Sequence, residues 1–126
     1  MFFDLFKSVD DIASCFSGEF DNCGKNITQD QIRKDLKDAK IHLAWYSDEN
    51  YMGRAWVIFE KDGQLYEVHG SHCSCFRLEG QWDCEQSCWK AIAMRDKHDL
   101  DYDDSDYDCI TEVQAHLNKL LKEHNE

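Results

Sequence analysis

The sequence predicts a single α+β domain over residues 1–126, a three-stranded antiparallel meander packed with about four helices. Three observations carry that expectation. Between residues 41 and 68 runs an aromatic and β-branched stretch, broken by Asp62-Gly63, a pair suited to a tight hairpin turn. Before and after it, apolar residues recur at spacings of three and four, the period of a helix with one buried face. Finally, 42% of the residues are apolar, with four Trp, five Tyr and seven Phe. A chain of this size and composition buries about two-thirds of its unfolded surface.

The elements follow in order. Phe2, Phe3, Phe6, Val9, Ile12, Ala13 and Phe16 form one apolar stripe, which predicts a core-packing helix over residues 2–16. Residues 17–26 are rich in Gly, Ser, Asn and Asp and read as a loop. A second helix has a clear start: Thr28 as N-cap, Gln31 completing a capping box, and Ile27 with Ile32 as a hydrophobic staple. Ile41, Leu43 and Trp45 alternate with His42, Ala44 and Tyr46, as in a half-buried strand. Arg54–Glu60 is the most β-prone run, and Gln64–Val68 returns, with Leu65 and Glu67 facing away from Tyr66 and Val68. A third helix is expected from Asp83, with Cys84, Cys88 and Ile92 on one face beside Trp89. A fourth, from about Ile110 to Glu123, would bury Ile110, Val113, Leu117, Leu120 and Leu121.

The formal charge of −12 bounds the partners. It disfavours direct binding to nucleic acid or to an anionic membrane, both of which are polyanions, and favours a protein with a basic surface. No apolar run approaches the roughly 20 residues of a membrane span. The segment MFFDLF carries Asp4 where an export signal has basic residues, so the seven cysteines read as reduced thiols or metal ligands in a cytoplasm.

The cysteine-rich stretch Val68–Cys88 joins the sheet to the third helix and holds Cys73, Cys75, Cys84 and Cys88, with His69 and His72. Thiolate and imidazole are the ligands zinc prefers, four at a time. On a helix Cys84 and Cys88 would point the same way, and Cys73 and Cys75 would complete the set, with His72 or His69 as replacement for one of them. Such a closed site would staple sheet to helix and contribute stability, not catalysis. The blander reading makes Cys84 and Cys88 small buried hydrophobes. A cysteine nucleophile with His69 or His72 as base has no accompanying oxyanion-hole motif.

The second chemical feature is acidic. Seven aspartates and one lysine occupy Asp96–Asp108, a net −6 that is half the charge of the chain. A calcium loop starting at Asp101 fails at Asp106, where a glycine should turn the chain. Commonly such a run is only a solvated loop. The sharper reading is mimicry: double-stranded DNA carries a charge about every 1.7 Å along its axis. Carboxylates at comparable density would occupy a groove built for phosphates. On that reading the contacts are Asp99, Asp101, Asp103, Asp104, Asp106 and Asp108, with Tyr102 and Tyr107 as aromatic anchors.

The segment from Trp56 through Trp82, especially YEVHGSHCSCFRLEGQW, resembles a family of small uncharacterised tailed-bacteriophage proteins that share a VHGSHCSCYGLEGQW-like core. The resemblance covers a third to a half of the chain and rests on His72-Cys73-Ser74-Cys75 and Leu78-Glu79-Gly80-Gln81-Trp82. Phe76-Arg77 departs from the family's Tyr-Gly, and Cys84 and Cys88 are not family positions, so a four-cysteine site would be particular to this chain. The resemblance implies a phage-encoded accessory protein acting in the host cytoplasm. The expected function is therefore an acidic, non-enzymatic inhibitor of a host protein, a nucleic-acid-binding or antiviral defence component. The alternative is a small zinc metalloprotein with a structural or catalytic Cys/His site.

Overall fold

The computed structural model describes residues 2–19, 26–49, 52–72, 78, 80–93 and 110–124. In chain order these form β1 (Phe2–Asp4), α1 (Val9–Phe16), β2 (Gly18–Glu19), β3 (Asn26–Ile27), α2 (Gln29–Leu36), β4 (Lys40–Glu49), β5 (Met52–Lys61), β6 (Gln64–His72), β7 (Glu85–Ser87), α3 (residues 89–93) and α4 (Ile110–His124). The α+β class is as expected, and the meander β4-β5-β6 is present with Asp62 (φ 54°) and Gly63 (φ 79°) at its second turn. Two successive left-handed residues close a two-residue hairpin whose twist matches the strands, and Lys61 pairs with Gln64 across it.

The sheet is larger than three strands. Its order is β1-β4-β5-β6-β7, with β4 to β7 antiparallel and β1 parallel to β4. Both additions correct the sequence reading. The stripe from Phe2 to Phe16 is not one helix. Its first three residues pair with Ala44, Trp45 and Tyr46, and α1 starts only after Ser8, whose side chain accepts the Asp11 N–H at 3.3 Å. The helical period arose because strand and helix drop their apolar residues into one core: Phe2, Phe6, Val9, Ile12 and Phe16 all belong to it. Likewise the third helix does not begin at Asp83. Glu85, Gln86 and Ser87 are extended and pair with Glu67, Tyr66 and Leu65, filling an edge that the meander leaves open. Helix α3 follows, its first bond running from Ile92 N–H to the Cys88 carbonyl at 3.0 Å.

The capping box of α2 is formed as expected. The Gln31 N–H donates to Thr28 Oγ1 at 3.1 Å and the Thr28 N–H to Gln31 Oε1 at 3.0 Å. Ile27 and Ile32 enter the same core.

Two layers of side chains sandwich the sheet. On one face Phe6, between β1 and α1, joins Ile12 and Phe16 of α1 and Ile32 and Leu36 of α2 over Ala44, Tyr46, Val57, Phe59 and Val68, together with Leu78 and Trp82. On the other, Ile92 of α3 and Leu117 of α4 cover Leu43, Trp45, Trp56, Ile58 and Leu65. Covering both faces explains why Ala55-Trp56-Val57-Ile58-Phe59 is buried without a break and why β4 is not half-exposed. A bulge at His42, where Ile41 pairs with Phe59 but Leu43 with Ile58, sends Ile41 to the first face and Leu43 to the second. Layers also meet closely at Gly70, where an added Cβ would lie 2.7 Å from Leu78 Cδ2 and 3.1 Å from Phe16. Among the described residues no helix is long and apolar enough to cross a membrane.

Candidate functional site

Strand periodicity of two places polar groups together on the α3/α4 face of the sheet. Leu43, Ile58, Glu67 and Glu85 lie in register across β4 to β7, and Trp45, Trp56 and His69 form the adjacent row. Glu67 therefore occupies a core position and is fully buried. A buried carboxylate is tolerated only when its lone pairs are filled. Here the Trp56 Nε1–H and His69 Nε2 each lie 3.0 Å from Oε1, and the Ser87 hydroxyl donates to Oε2. All three donors are near neighbours of Glu67 on the sheet: one diagonal on β5, one two residues along β6, one diagonal on β7. With an ionised Glu67, which can only accept, the proton in the Glu67–His69 bond sits on Nε2. The imidazole also stacks on Trp56, with ring centroids 5.2 Å apart, and keeps a third of its side-chain surface exposed.

That exposed part of His69 lines a cavity of about 360 Å³, within the size range of small-molecule sites. The other walls include Trp45, Arg54, Trp56, Gln81 and Glu85. Gln81 is held by its amide: Nε2 donates to the Ser71 carbonyl at 2.9 Å and Oε1 accepts the Ser71 N–H at 3.0 Å.

The order of groups decides what chemistry is accessible. In a nucleophilic triad the imidazole stands between hydroxyl and carboxylate, so that it can take the hydroxyl proton. Here the carboxylate stands between Ser87 and His69, and the Ser87 proton goes to Glu67. Cys84 is no better prepared. Burial first, then Asp35 and Asp83, push its thiol up to about 12, opposite to what a reactive thiolate requires.

A second cluster surrounds the bulge. His42 is buried, its Nε2 lies 3.0 Å from Glu60 Oε1, and its carbonyl accepts from His116 Nε2 at 2.6 Å. Its ring meets Trp89 edge-on, while His124 stacks flat on Trp89 with centroids 4.3 Å apart. These contacts fasten α3 and the end of α4 to β4. Burial, ahead of the Lys40 and His124 charges, holds the His42 imidazole below its ordinary value, against the pull of Glu60.

Of the residues nominated from sequence, His69 is committed to Glu67, Cys84 is half-buried with its sulfur 3.9 Å from Asp35 Oδ2, and Cys88 is exposed. Cys84 and Cys88 do not share a helical turn. They flank the extended strand β7 instead. Cys73, Cys75 and the His72 side chain lie outside the described residues, as do Asp99, Asp101, Tyr102, Asp103, Asp104, Asp106, Tyr107 and Asp108. Among the described residues no group of three or more His, Cys, Asp or Glu is arranged to hold a metal ion. Sequence reasoning overlooked Glu67, although a signal existed: an acid between Tyr66 and Val68, two residues from a histidine, must share that histidine's face of a strand. Comparison with protein-family models, curated proteins and solved structures returns no match to this chain.

Proposed function

We propose that this chain is a phage-encoded acidic accessory protein that binds a basic surface of a host protein and inhibits it without catalysing a reaction. The target class is a nucleic-acid-binding or antiviral defence component, engaged through charge that imitates phosphate. One observation carries the reading: half of a net charge of −12 is concentrated in Asp96–Asp108. The two elements on either side of that segment support it. Both α3 and α4 pack on one face of the sheet, through Ile92 and Leu117, so the chain enters and leaves the acidic segment from elements on that face. The occupied hydroxyl of Ser87 and the protonated thiol of Cys84 favour binding over nucleophilic catalysis.

The test uses a host protein retained from lysate by the immobilised chain, then purified and titrated. Its affinity should rise as salt is lowered, because screening weakens contacts between exposed charges. Replacing Asp101, Asp103 and Asp104 together by Lys should weaken it about tenfold or more, against less than about threefold for the exposed Asp30, Asp83 and Glu123. Equal losses from the two sets would overturn the acidic-segment reading.

A further inference from the structure

We propose that the cluster around His42 is a proton-sensitive latch, by which acidification loosens α4 from the sheet ahead of the rest of the fold. Beside the bulge of β4, His42 is only 4% exposed. Its Nε2 lies 3.0 Å from Glu60 Oε1, and a carboxylate only accepts, so the neutral ring carries its proton there. Nδ1 makes no hydrogen bond among the described residues. A proton added to Nδ1 would therefore be a second donor without an acceptor, on a ring newly charged and still buried.

Every element around the ring bears on that charge. Burial, and after it the charges of Lys40 on β4 and His124 on α4, hold the imidazole below its ordinary value, while Glu60 on β5 pulls the other way. Helix α4 also brings His116, Lys119 and Glu123 to the same cleft, and α3 brings the uncharged Trp89. An imidazolium gains most by reaching water, and the two sides of its enclosure differ in what resists. Strand β4 is held by a ladder to β5 along its whole length. At this site α4 is held by side chains: His116 Nε2 donates to the His42 carbonyl at 2.6 Å, and the His124 ring lies 5.6 Å from that of His42. Local opening begins at such attachments, with the buried Leu117 and Leu120 of α4 opposing it. The opened form binds the proton more readily than the closed one, so opening grows as pH falls through 6.5.

The test is amide hydrogen exchange of the full-length chain at about pH 7.5 and about pH 5.5, followed by NMR and corrected for intrinsic rates. For one imidazole with an ordinary value of 6.5, linkage limits the change in opening over that range to about tenfold. Protection of the α4 amides from residue 115 to residue 124 should fall about three- to tenfold more than protection in β5 and α1. In His42→Gln, which does not titrate, that excess should shrink below about twofold. His42→Phe, a ring that cannot take a proton, makes the same comparison should the Gln variant not fold. Equal losses in α4, β5 and α1 of the unaltered chain overturn the latch. An excess that survives in the non-titrating variants overturns His42 as its trigger. None of these readouts involves a host protein, so their failure leaves the acidic-segment reading standing, and the converse holds.

Discussion

The sheet has two covered faces that reach burial by different means. Beneath α1 and α2 the contacts are almost wholly apolar: Phe6, Phe16 and Trp82 interlock with Tyr46 and Phe59 at ring separations of 5.3 to 6.1 Å. The polar exception is at the margin, where Asp35 accepts the Trp82 indole N–H at 2.9 Å. Beneath α3 and α4, the apolar layer is interrupted by Glu67 and His42, each needing partners from several strands or helices. Apolar burial is forgiving about geometry and supplies most of the stability. A buried carboxylate contributes little net stability and demands one arrangement of its donors. The first face therefore holds the fold together, and the second fixes where a few polar groups stand.

Mutations at the centre of each face should separate these roles. The largest loss is expected at Phe16→Ala, which opens a cavity between Phe6 and Trp82 and should cost about 3–5 kcal/mol in denaturant unfolding. Glu67→Leu should come next, at about 2–4 kcal/mol, because it takes the shared acceptor from the donors of Trp56, His69 and Ser87. Glu67→Gln retains an acceptor oxygen and should cost only about 1 kcal/mol by the same measurement. A Leu substitution that left stability unchanged would erase the distinction between the faces.

The smallest effect is a pH dependence confined to the second face. His42 in the folded chain has its pKa lowered below 6.5, chiefly by burial. The unfolded chain therefore binds the proton more readily, and stability falls as pH drops through the unfolded value toward the folded one. Above that window the His42 contribution is fully present. Unfolding free energies measured from about pH 7.5 to 5.5 should decline more in the unaltered chain than in His42→Gln, which can hydrogen-bond to Glu60 but does not titrate in this range. Hydrogen exchange should place the loss in α4, whose His116 and His124 contact His42. An identical pH profile in the variant would remove His42 as the cause.

How much of this was legible in the sequence depends on whether a local signal was unique. The Asp62-Gly63 turn and the Thr28–Gln31 capping box were, because few conformations satisfy those residues in that order. The edges of the sheet were not. Phe2–Asp4 and Glu85–Ser87 become strands by pairing with distant residues, and each carried a competing helical signal, one from apolar spacing and one from the Asp83–Gln86 cap pattern. The site was hidden for the same reason. Alternation assigned Leu65 and Glu67 one face of β6, but nothing local said that α3 and α4 would cover it. The zinc geometry inferred for Cys84 and Cys88 assumed helix where the open edge of β6 drew in a strand.

The amide bridge between Gln81 and Ser71 has a consequence for how molecules of this chain meet one another. Among the described residues, strand β7 pairs with β6 only from Leu65 to Glu67, and an unpaired sheet margin invites extension by another extended chain. At Ser71 both groups are already taken, the N–H by Gln81 Oε1 and the carbonyl by Nε2. A single side chain thus impersonates a neighbouring strand, and a second molecule seeking to extend the sheet there must first displace it. Together with electrostatic repulsion between chains of charge −12, this blunts sheet-to-sheet aggregation at Ser71.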